Sequence, residues 1–249
     1  MILTSKNNPL IKETASLKEK KGRKLLGSFL VEGRKMVKEV EKSNLIVTHV
    51  FLSEHYQGET DFLCEKIVRV SDDVFKFLSD EKTPQGVLCR VEIPKNALQK
   101  PSGRCLILDG VADPGNMGAI IRTANAAGYD EVYLTNDCTD PYAPKSVRAS
   151  MSGLFFTKIY VAAREEILSV FNGFPVFVAD MGGENLFTFT PPSAYAIVIG
   201  NEANGVSQEC KNAATQTLRI PMKETQESLN AAVSAGIAMY VLAKDDFQN

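Results

Sequence analysis

The chain has 249 residues, of which 44% are hydrophobic and 23% are charged. This length accommodates one large domain or two medium ones, and this composition is typical of a globular protein with a full hydrophobic core. No run of 18 apolar residues occurs, so we expect no transmembrane helix. The first residues lack the basic and apolar stretches of a secretion signal, so we expect a cytoplasmic protein.

The five cysteines and two histidines favour neither a disulfide framework nor a metal centre. No two cysteines form a CxxC pair, and neither His49 nor His55 lies at metal-ligand spacing from a cysteine. A Ser-His-Asp or Cys-His catalytic site would need one of these histidines, and neither lies in a motif of that kind. We therefore expect no metal and no disulfide.

The charge is unevenly distributed, although the net charge is only −2. Residues 1–50 carry 11 Lys and Arg against 5 Asp and Glu. A basic segment on an otherwise acidic chain predicts contact with nucleic acid, and the alternative is a solvated helix face. The densest part of this segment is a cluster of five cations, Lys18, Lys20, Lys21, Arg23 and Lys24.

The first 95 residues alternate between helix and strand patterns, which predicts a small α/β domain. The segment from Pro9 to Gly27 predicts one helix, because proline is tolerated in the first turn and glycine ends the run. The proline- and lysine-containing residues 96–102 predict a linker. The other elements expected before this linker are strands at 28–33, 45–53, 66–70 and 86–93 and helices at 33–42 and 72–80.

Residues 103–249 restart the alternation and predict a second α/β domain. The final helix is mostly apolar, and its Ala and Gly residues permit close packing, for example against a second subunit. The expected strands are 105–111, 131–135, 157–161, 175–180, 195–200 and 217–222, and the expected helices are 117–128, 144–153, 207–214 and 228–246.

One segment of this second half, residues 108–134, runs from a strand through a loop into a helix. Asn116 lies near the helix N-terminus, where backbone N–H groups can receive an anion. Arg122 lies one turn beyond Gly118 and can lean back toward the loop. Taken alone, Asn116 is equally well interpreted as a helix cap and Arg122 as a surface residue.

Two further segments also begin at strand ends. In residues 196–207, Glu202 is the one acid in a turn of small residues, and α/β sheets bind ligands where their strands end. In residues 218–236, Ser228 and Asn230 are residue types that cap helices. Taken alone, these features indicate no more than a polar turn and a helix cap.

In their order and wording, the three segments together resemble the SpoU family of RNA 2′-O-ribose methyltransferases, part of the SPOUT (trefoil-knot) superfamily. The matching stretches run from Asn116 to Gly128, from Ile197 to Gly205 and from Ile220 to Val233. The first hundred residues resemble more loosely the ribosomal protein L30e fold, a substrate-binding domain that often precedes such catalytic domains.

The resemblance implies an L30e-like RNA substrate-binding domain at 1–95, a linker at 96–102 and a SpoU catalytic α/β domain at 103–249. It implies that the C-terminal part of the catalytic domain threads into a deep trefoil knot. It also implies a homodimer formed through the catalytic domain, with the site near the interface and the last helix contributing.

The resemblance further implies S-adenosylmethionine as the cofactor and RNA as the substrate, with ribosomal RNA favoured and transfer RNA also possible. No metal or membrane is required. By position, the cofactor contacts would be Gly200, Ile220 and Leu229. The polar active-site positions would be Arg122, Asn116, Glu202, Ser228 and Asn230.

Two roles remain open for the arginine at position 122. It could act as a base if its surroundings lowered its pKa, or it could stay charged and bind an RNA phosphate and the developing oxyanion. We favour the charged role. The carboxylate of Glu202 could orient either Arg122 or Asn116.

Two other classes of protein also remain open. One is a catalytically inactive RNA-binding protein on the same scaffold, and the other is a methyltransferase acting on a small molecule or a protein. The absence of GxGxxG and P-loop motifs argues against Rossmann-type and NTP-hydrolysing enzymes.

Overall fold

The computed structural model describes residues 2–247, which divide into two compact units. The first unit extends to residue 95 and also includes residues 140–155, and the second unit comprises 96–139 and the chain from residue 156 onward. The excursion at 140–155 therefore packs with the first unit, although in chain order it interrupts the second. No helix within the described residues is long and apolar enough to cross a membrane.

The first unit is built on a five-stranded mixed sheet. Four helices accompany these strands in the chain, and apolar side chains of the first and the fourth form a buried core with those of the sheet. The strands are β1 (Ile2–Leu3), β2 (Ser28–Glu32), β3 (Val47–Ser53), β4 (Ile67–Val70) and β5 (Val87–Glu92), in the spatial order β1-β4-β3-β5-β2. The helices are α1 (Pro9–Ser16), α2 (Lys20–Leu26), α3 (Arg34–Glu41) and α4 (Asp72–Leu78).

The single helix expected between Pro9 and Gly27 is wrong, because the chain turns between α1 and α2. The buried Arg23 guanidinium donates hydrogen bonds to the carbonyls of Leu17 and Lys18, both at 2.8 Å. A Cβ at Gly22 would clash with the Ser16 carbonyl oxygen, so only glycine allows α2 to approach the end of α1 this closely.

The second unit contains a six-stranded parallel sheet, and the two units together confirm the predicted α/β class. The central strands are buried along most of their length, which explains their continuous apolar sequences. The strands are β6 (Arg104–Asp109), β7 (Glu131–Thr135), β8 (Lys158–Ala162), β9 (Val176–Asn185), β10 (Tyr195–Gly200) and β11 (Gln216–Arg219), in the order β11-β9-β10-β6-β7-β8.

Six α-helices and two short 3-10 helices, Leu186–Thr188 and Lys244–Phe247, are described in the second half of the chain. The α-helices are α5 (Pro114–Ala126), α6 (Pro144–Ser150), α7 (Gly153–Phe156), α8 (Arg164–Val170), α9 (Gln208–Ala213) and α10 (Ala231–Leu242). The helix expected from Met117 begins three residues earlier because the Asp113 side chain caps it, and the last helix begins three residues later than expected because Asn230 caps it. The sequence pattern did not predict α8.

Residues 96–102 have no regular secondary structure, but hydrogen bonds attach them to the second unit. The Glu131 carboxylate accepts hydrogen bonds from the Gln99 side chain and from the Ser102 N–H, both at 3.1 Å. The Asn96 side-chain amide donates to the Ile159 carbonyl at 3.0 Å. This stretch therefore lies against the sheet of the second unit.

Candidate functional site

The carboxyl ends of β6 and β10 lie side by side at one edge of the parallel sheet. β6 ends at Asp109 and β10 ends at Gly200, and these two residues are paired in the sheet register. β11 ends at the same edge, because it is parallel to β9 and β9 is parallel to β10. The three segments that the sequence singles out therefore all start at this edge, where parallel sheets bind ligands.

Glu202 connects the loop after β10 to the start of α5. Its carboxylate accepts hydrogen bonds from the Asn116 side-chain amide at 2.9 Å, the Ala112 N–H at 3.0 Å and the Asp113 N–H at 3.1 Å. The backbone N–H of Asn116 donates to the Asp113 carboxylate at 2.8 Å. The chain's own carboxylates thus occupy the helix N-terminus, rather than leaving it for an anionic ligand.

The surroundings of Glu202 favour its ionised form. Partial burial by itself raises the pKa of Glu202, but hydrogen bonds from Asn116 and from the backbone outweigh burial and lower that pKa below its ordinary value of 4.5. The loop therefore carries a fixed negative charge at neutral pH.

Asn230 connects the third segment to the same cluster. Its side-chain amide donates to the Asn116 side-chain oxygen at 3.0 Å, while its own oxygen accepts from the N–H groups of Ala232 at 2.9 Å and Val233 at 3.3 Å. Asn230 thus caps α10 and orients Asn116 at once. Asn116, Glu202 and Asn230 form one hydrogen-bonded group, which we call the amide–carboxylate cluster.

A cavity of about 590 Å³ opens beside this cluster, between the middle of β9, the ends of β10 and β11 and the start of α10. Its lining includes all three residues expected to contact a cofactor, Gly200, Ile220 and Leu229, together with Glu202 and Ser228. Ser228 is exposed and does not cap α10. Residues of the second and third segments therefore line this cavity. The first segment does not line it, but its Asn116 side chain is hydrogen-bonded to Asn230, which does.

The turn after β10 requires glycine at its first position. A Cβ at Gly200 would clash with the carbonyl carbon of Gly205, because the backbones of Asn201 and Gly205 bond to each other across the turn at 2.9 Å. The Asn201 side chain donates to the Gly110 carbonyl at 2.7 Å, which links this turn to the loop after β6.

Arg122 lies outside the amide–carboxylate cluster. It is exposed on α5, and within residues 2–247 its guanidinium has no hydrogen-bond or ion-pair partner. Of the two partners expected for Glu202, Arg122 and Asn116, the structure pairs the carboxylate with Asn116.

An ion-pair network that the sequence did not predict is joined to the site through Ser207. The Arg164 guanidinium lies 2.7 Å from the buried Asp109 carboxylate and 2.8 Å from Asp137, and Asp109 also accepts a hydrogen bond from the Ser207 N–H at 2.7 Å. The only feature of the sequence that pointed to this network was an aspartate at the end of an apolar strand. Its basic partner lies 55 residues further along the chain, so no local pattern connects the two.

The basic cluster of the first unit divides into exposed and internally bound cations. Arg23 forms a 2.7 Å ion pair with Asp140, and the Lys18 ammonium donates to the Phe77 carbonyl at 2.7 Å. The remaining three members, Lys20, Lys21 and Lys24, are exposed. Only these three are available to a polyanion without breaking an internal contact.

One group of metal-ligand types occurs in the first unit, although the sequence indicated none. Ligand atoms of Glu54, His55 and Asp72 lie within 4.8 Å of one another at the protein surface. His55 and Asp72 already share a 2.8 Å contact, and hydrogen bonding to Asp72 raises the pKa of His55. This pairing accounts for the arrangement without an ion.

Two family models match the chain in succession. The model described as the SpoU rRNA Methylase family matches residues 103–240, and the model described as the MRM3-like substrate binding domain matches residues 8–89. The first match includes the amide–carboxylate cluster, the cavity and Arg122.

Whole-length relatives have names that describe ribosomal RNA modification. The chain is 28% identical to the 23S rRNA (guanosine(2553)-2′-O)-methyltransferase RlmP of Bacillus subtilis (strain 168), over 96% of this chain and 98% of the relative. It is also 28% identical to the 23S rRNA (adenosine(1067)-2′-O)-methyltransferase of Streptomyces laurentii, over 98% and 95%. Among solved structures, the AdoMet-bound rRNA methyltransferase from Sinorhizobium meliloti is 26% identical and superposes with a TM-score of 0.87, covering 100% of this chain and 99% of the other.

Proposed function

Because the chain belongs to the SpoU rRNA Methylase family, we propose that it transfers a methyl group from S-adenosylmethionine to a ribose 2′-hydroxyl of 23S ribosomal RNA. The observation that carries this proposal is that three separate strand ends meet at one edge of the sheet within the matched region, where the second and third segments line a cavity and the first is joined to them through Asn116.

The cavity suits the cofactor in size and charge. A volume of about 590 Å³ lies within the range of roughly 300–1,000 Å³ typical of small-molecule sites. Because Gly200 has no Cβ, the turn can fold back on itself and its backbone groups lie at the rim of the cavity. Glu202 supplies a negative charge that attracts the cationic sulfonium of the cofactor. When bound, S-adenosylmethionine supplies an electrophilic methyl group.

Arg122 is proposed to act on the RNA as a charged group. A sugar hydroxyl is a weak nucleophile at neutral pH, so the reaction requires alignment of that oxygen and stabilisation of its developing negative charge. An exposed guanidinium with no carboxylate partner among the described residues can bind a phosphate and the developing alkoxide together.

The amide–carboxylate cluster is proposed to shape the pocket in which the ribose meets the methyl donor. Asn116 is held from both sides, by Glu202 and by Asn230, so its amide has one orientation. Ser228 lines the same cavity and is proposed to contact the cofactor or the ribose. An inactive RNA-binding scaffold would have no need for this fixed group, so its presence favours an enzyme.

The first unit is proposed to bind the RNA through Lys20, Lys21 and Lys24. Phosphate contacts from exposed lysines supply salt-dependent affinity, and the 2′-hydroxyl itself distinguishes RNA from DNA. The whole-length relatives named above act on 23S ribosomal RNA, so a transfer RNA substrate is less favoured. A ribosomal RNA substrate also agrees with the expected cytoplasmic location.

Several finer features of the fold are proposed on the strength of the family. Residues 103–249 would form the catalytic domain, with a trefoil knot in its C-terminal part, and residues 1–95 an L30e-like substrate domain joined to it through 96–102. A homodimer is proposed through α10, where Val233 and Tyr240 are 50% and 43% exposed. Together with Ile237 they form one stripe at helical spacing, typical of a helix that packs against a partner.

Replacing Arg122 tests the proposed reaction. Arg122→Ala should abolish methylation of ribosomal RNA while leaving the dissociation constant of S-adenosylmethionine within about threefold of wild type, since the side chain does not line the cavity. Isothermal titration calorimetry and a tritiated-methyl transfer assay measure the two quantities. An equal loss of both would make Arg122 a structural residue and refute its proposed role.

A further inference from the structure

The ion pair between Arg164 and Asp109 is joined to the turn that lines the cavity. Asp109 ends β6 at the centre of the sheet and is 2% exposed. One of its carboxylate oxygens accepts from Arg164 at 2.7 Å and the other accepts from the Ser207 N–H at 2.7 Å. Ser207 is the last residue of the turn that carries Glu202, so Asp109 connects Arg164 to the end of that turn.

Arg164 is the one cationic partner of this buried carboxylate within residues 2–247. A buried carboxylate is costly unless it is paired and hydrogen-bonded, so loss of the guanidinium would leave Asp109 with uncompensated charge. The second ion pair of Arg164, with Asp137, is more solvent-exposed, because 57% of the Asp137 side chain is accessible. Such an exposed pair contributes little by itself.

We propose that Arg164 is a positioning residue for the methyl-donor site, which acts by holding the Asp109 carboxylate in place and thereby fixing the turn 200–207. This inference rests on the proposed function for its link to catalysis. Its physical part, the link between Arg164 and the turn, stands on the contacts alone.

The turn itself shows why its end must be fixed. Its other anchors are the Asn201 side chain on Gly110, the backbone hydrogen bonds between Asn201 and Gly205, and the hydrogen bonds that the Glu202 carboxylate accepts from Asn116 and from the loop before α5. These anchors hold its beginning and middle, whereas the N–H of Ser207 is held, among the described residues, by Asp109 alone. If the end moves, Glu202 loses its alignment with Asn116, since a hydrogen bond at 2.9 Å tolerates little displacement.

The test compares Arg164→Gln with Asp137→Asn as the matched control, because both break the exposed ion pair and only Arg164→Gln unpairs Asp109. In the ligand-free protein, Arg164→Gln should accelerate hydrogen exchange of the amides in residues 200–207 by about 10-fold or more, and Asp137→Asn should not. Equal exchange in this turn for Arg164→Gln and wild type would overturn the inference.

The functional readout is the affinity for S-adenosylmethionine. Arg164→Gln should raise its dissociation constant about 10-fold, and millimolar guanidinium chloride, far below denaturing concentrations, should restore part of the affinity. If the variant only melts at a lower temperature, with unchanged cofactor affinity well below that temperature, Arg164 is a stability residue and the inference fails.

Two further variants keep the test decisive if Arg164→Gln does not fold. Arg164→Lys retains the charge and should keep part of the affinity. The double variant Asp109→Asn/Arg164→Gln removes the buried charge together with its partner and should exchange faster in residues 200–207 than wild type does, because no guanidinium holds the side chain at position 109; exchange equal to wild type would contradict the inference. Failure of the wild-type protein to bind S-adenosylmethionine would refute the proposed function. It would leave the link between Arg164 and the turn testable, because the hydrogen-exchange experiment uses ligand-free protein.

Discussion

The side-chain amide of Asn116 donates a hydrogen bond to the carboxylate of Glu202 at 2.9 Å, across 86 residues of sequence. This bond joins the first turn of α5 to the loop that follows β10. Asn230 completes the group from the start of α10. Three loops that are remote in the chain thus share one hydrogen-bonded centre beside the cavity.

Asn116→Ala removes the residue that links the other two members of this centre. We expect the methylation rate to fall roughly 100-fold, the effect of losing one preorganised polar group at a reacting centre. The cofactor affinity should change little, because Asn116 does not line the cavity. Steady-state kinetics with ribosomal RNA measure the methylation rate. Asn125→Ala on the same helix is the control and should methylate at the wild-type rate. A rate unchanged from wild type would remove Asn116 from the site.

Glu202→Gln tests whether the Glu202 carboxylate stabilises the fold in a pH-dependent way. The folded-state pKa of Glu202 lies below its ordinary value of 4.5, so ionised Glu202 stabilises the fold above pH 4.5 and this contribution disappears as the pH falls through the lowered pKa. The melting temperature of wild type should therefore exceed that of Glu202→Gln at pH 7, and the difference should shrink below pH 4.5. Thermal melts between pH 3 and 8 would contradict this if the difference stayed constant.

Gly200→Ala tests the close approach within the turn after β10. The added Cβ would clash with the Gly205 backbone, and overpacking of this kind costs about 1–3 kcal/mol. We expect cofactor affinity to fall at least about 10-fold, because the displaced turn lines the cavity. Gly182→Ala is the control, since a Cβ added there would meet no atom of the described residues within 4 Å and its affinity should match wild type.

The three exposed lysines of α2 predict a salt-dependent effect. Lys20→Gln, Lys21→Gln and Lys24→Gln together should weaken RNA binding and lower the slope of log affinity against log salt by roughly 0.7–0.9 per lost phosphate contact. Cofactor affinity should not change. Point variants are preferable to deleting the first 95 residues, because that deletion would strip residues 140–155 of their packing partners. An unchanged salt slope would refute this RNA contact.

Val233→Glu tests the proposed dimer. A charge in the exposed apolar stripe of α10 should convert a dimer to a monomer in sedimentation equilibrium, because burying an unpaired carboxylate at an interface is strongly unfavourable. Lys244→Glu, an exposed change beyond the end of α10, should leave the dimer intact. A monomeric wild type would refute the proposal directly.

The end of β10 was predictable from sequence, whereas β9 ends five residues later and β11 three residues earlier than expected, and much of the network around these strands was not predicted. Gly200 and Glu202 follow an apolar run that can only be a buried strand, and that pattern is local. The start of α5 was predicted three residues late, because the capping role of Asp113 depends on the side-chain geometry of one loop. The pairing of Arg164 with Asp109 depends on the order of β6, β7 and β8 in the sheet, which no local pattern encodes.

The basic cluster of the first unit also shows what sequence alone could not predict. Five neighbouring cations predict a polyanion surface, yet Arg23 is bound to Asp140, a residue 117 positions away, and Lys18 is bound to the end of α4. Composition indicates the charge of a segment, and only tertiary structure indicates which of its charges remain exposed.

The most direct test of the central claim is to map 2′-O-methylation on 23S ribosomal RNA after incubation with the purified protein and S-adenosylmethionine. A 2′-O-methyl group blocks alkaline cleavage of the adjacent phosphodiester bond, so a modified nucleotide appears as a protected position. We predict one newly protected nucleotide with wild-type protein and none with Arg122→Ala. Methyl transfer to a base, or no transfer to ribosomal RNA at all, would contradict the account.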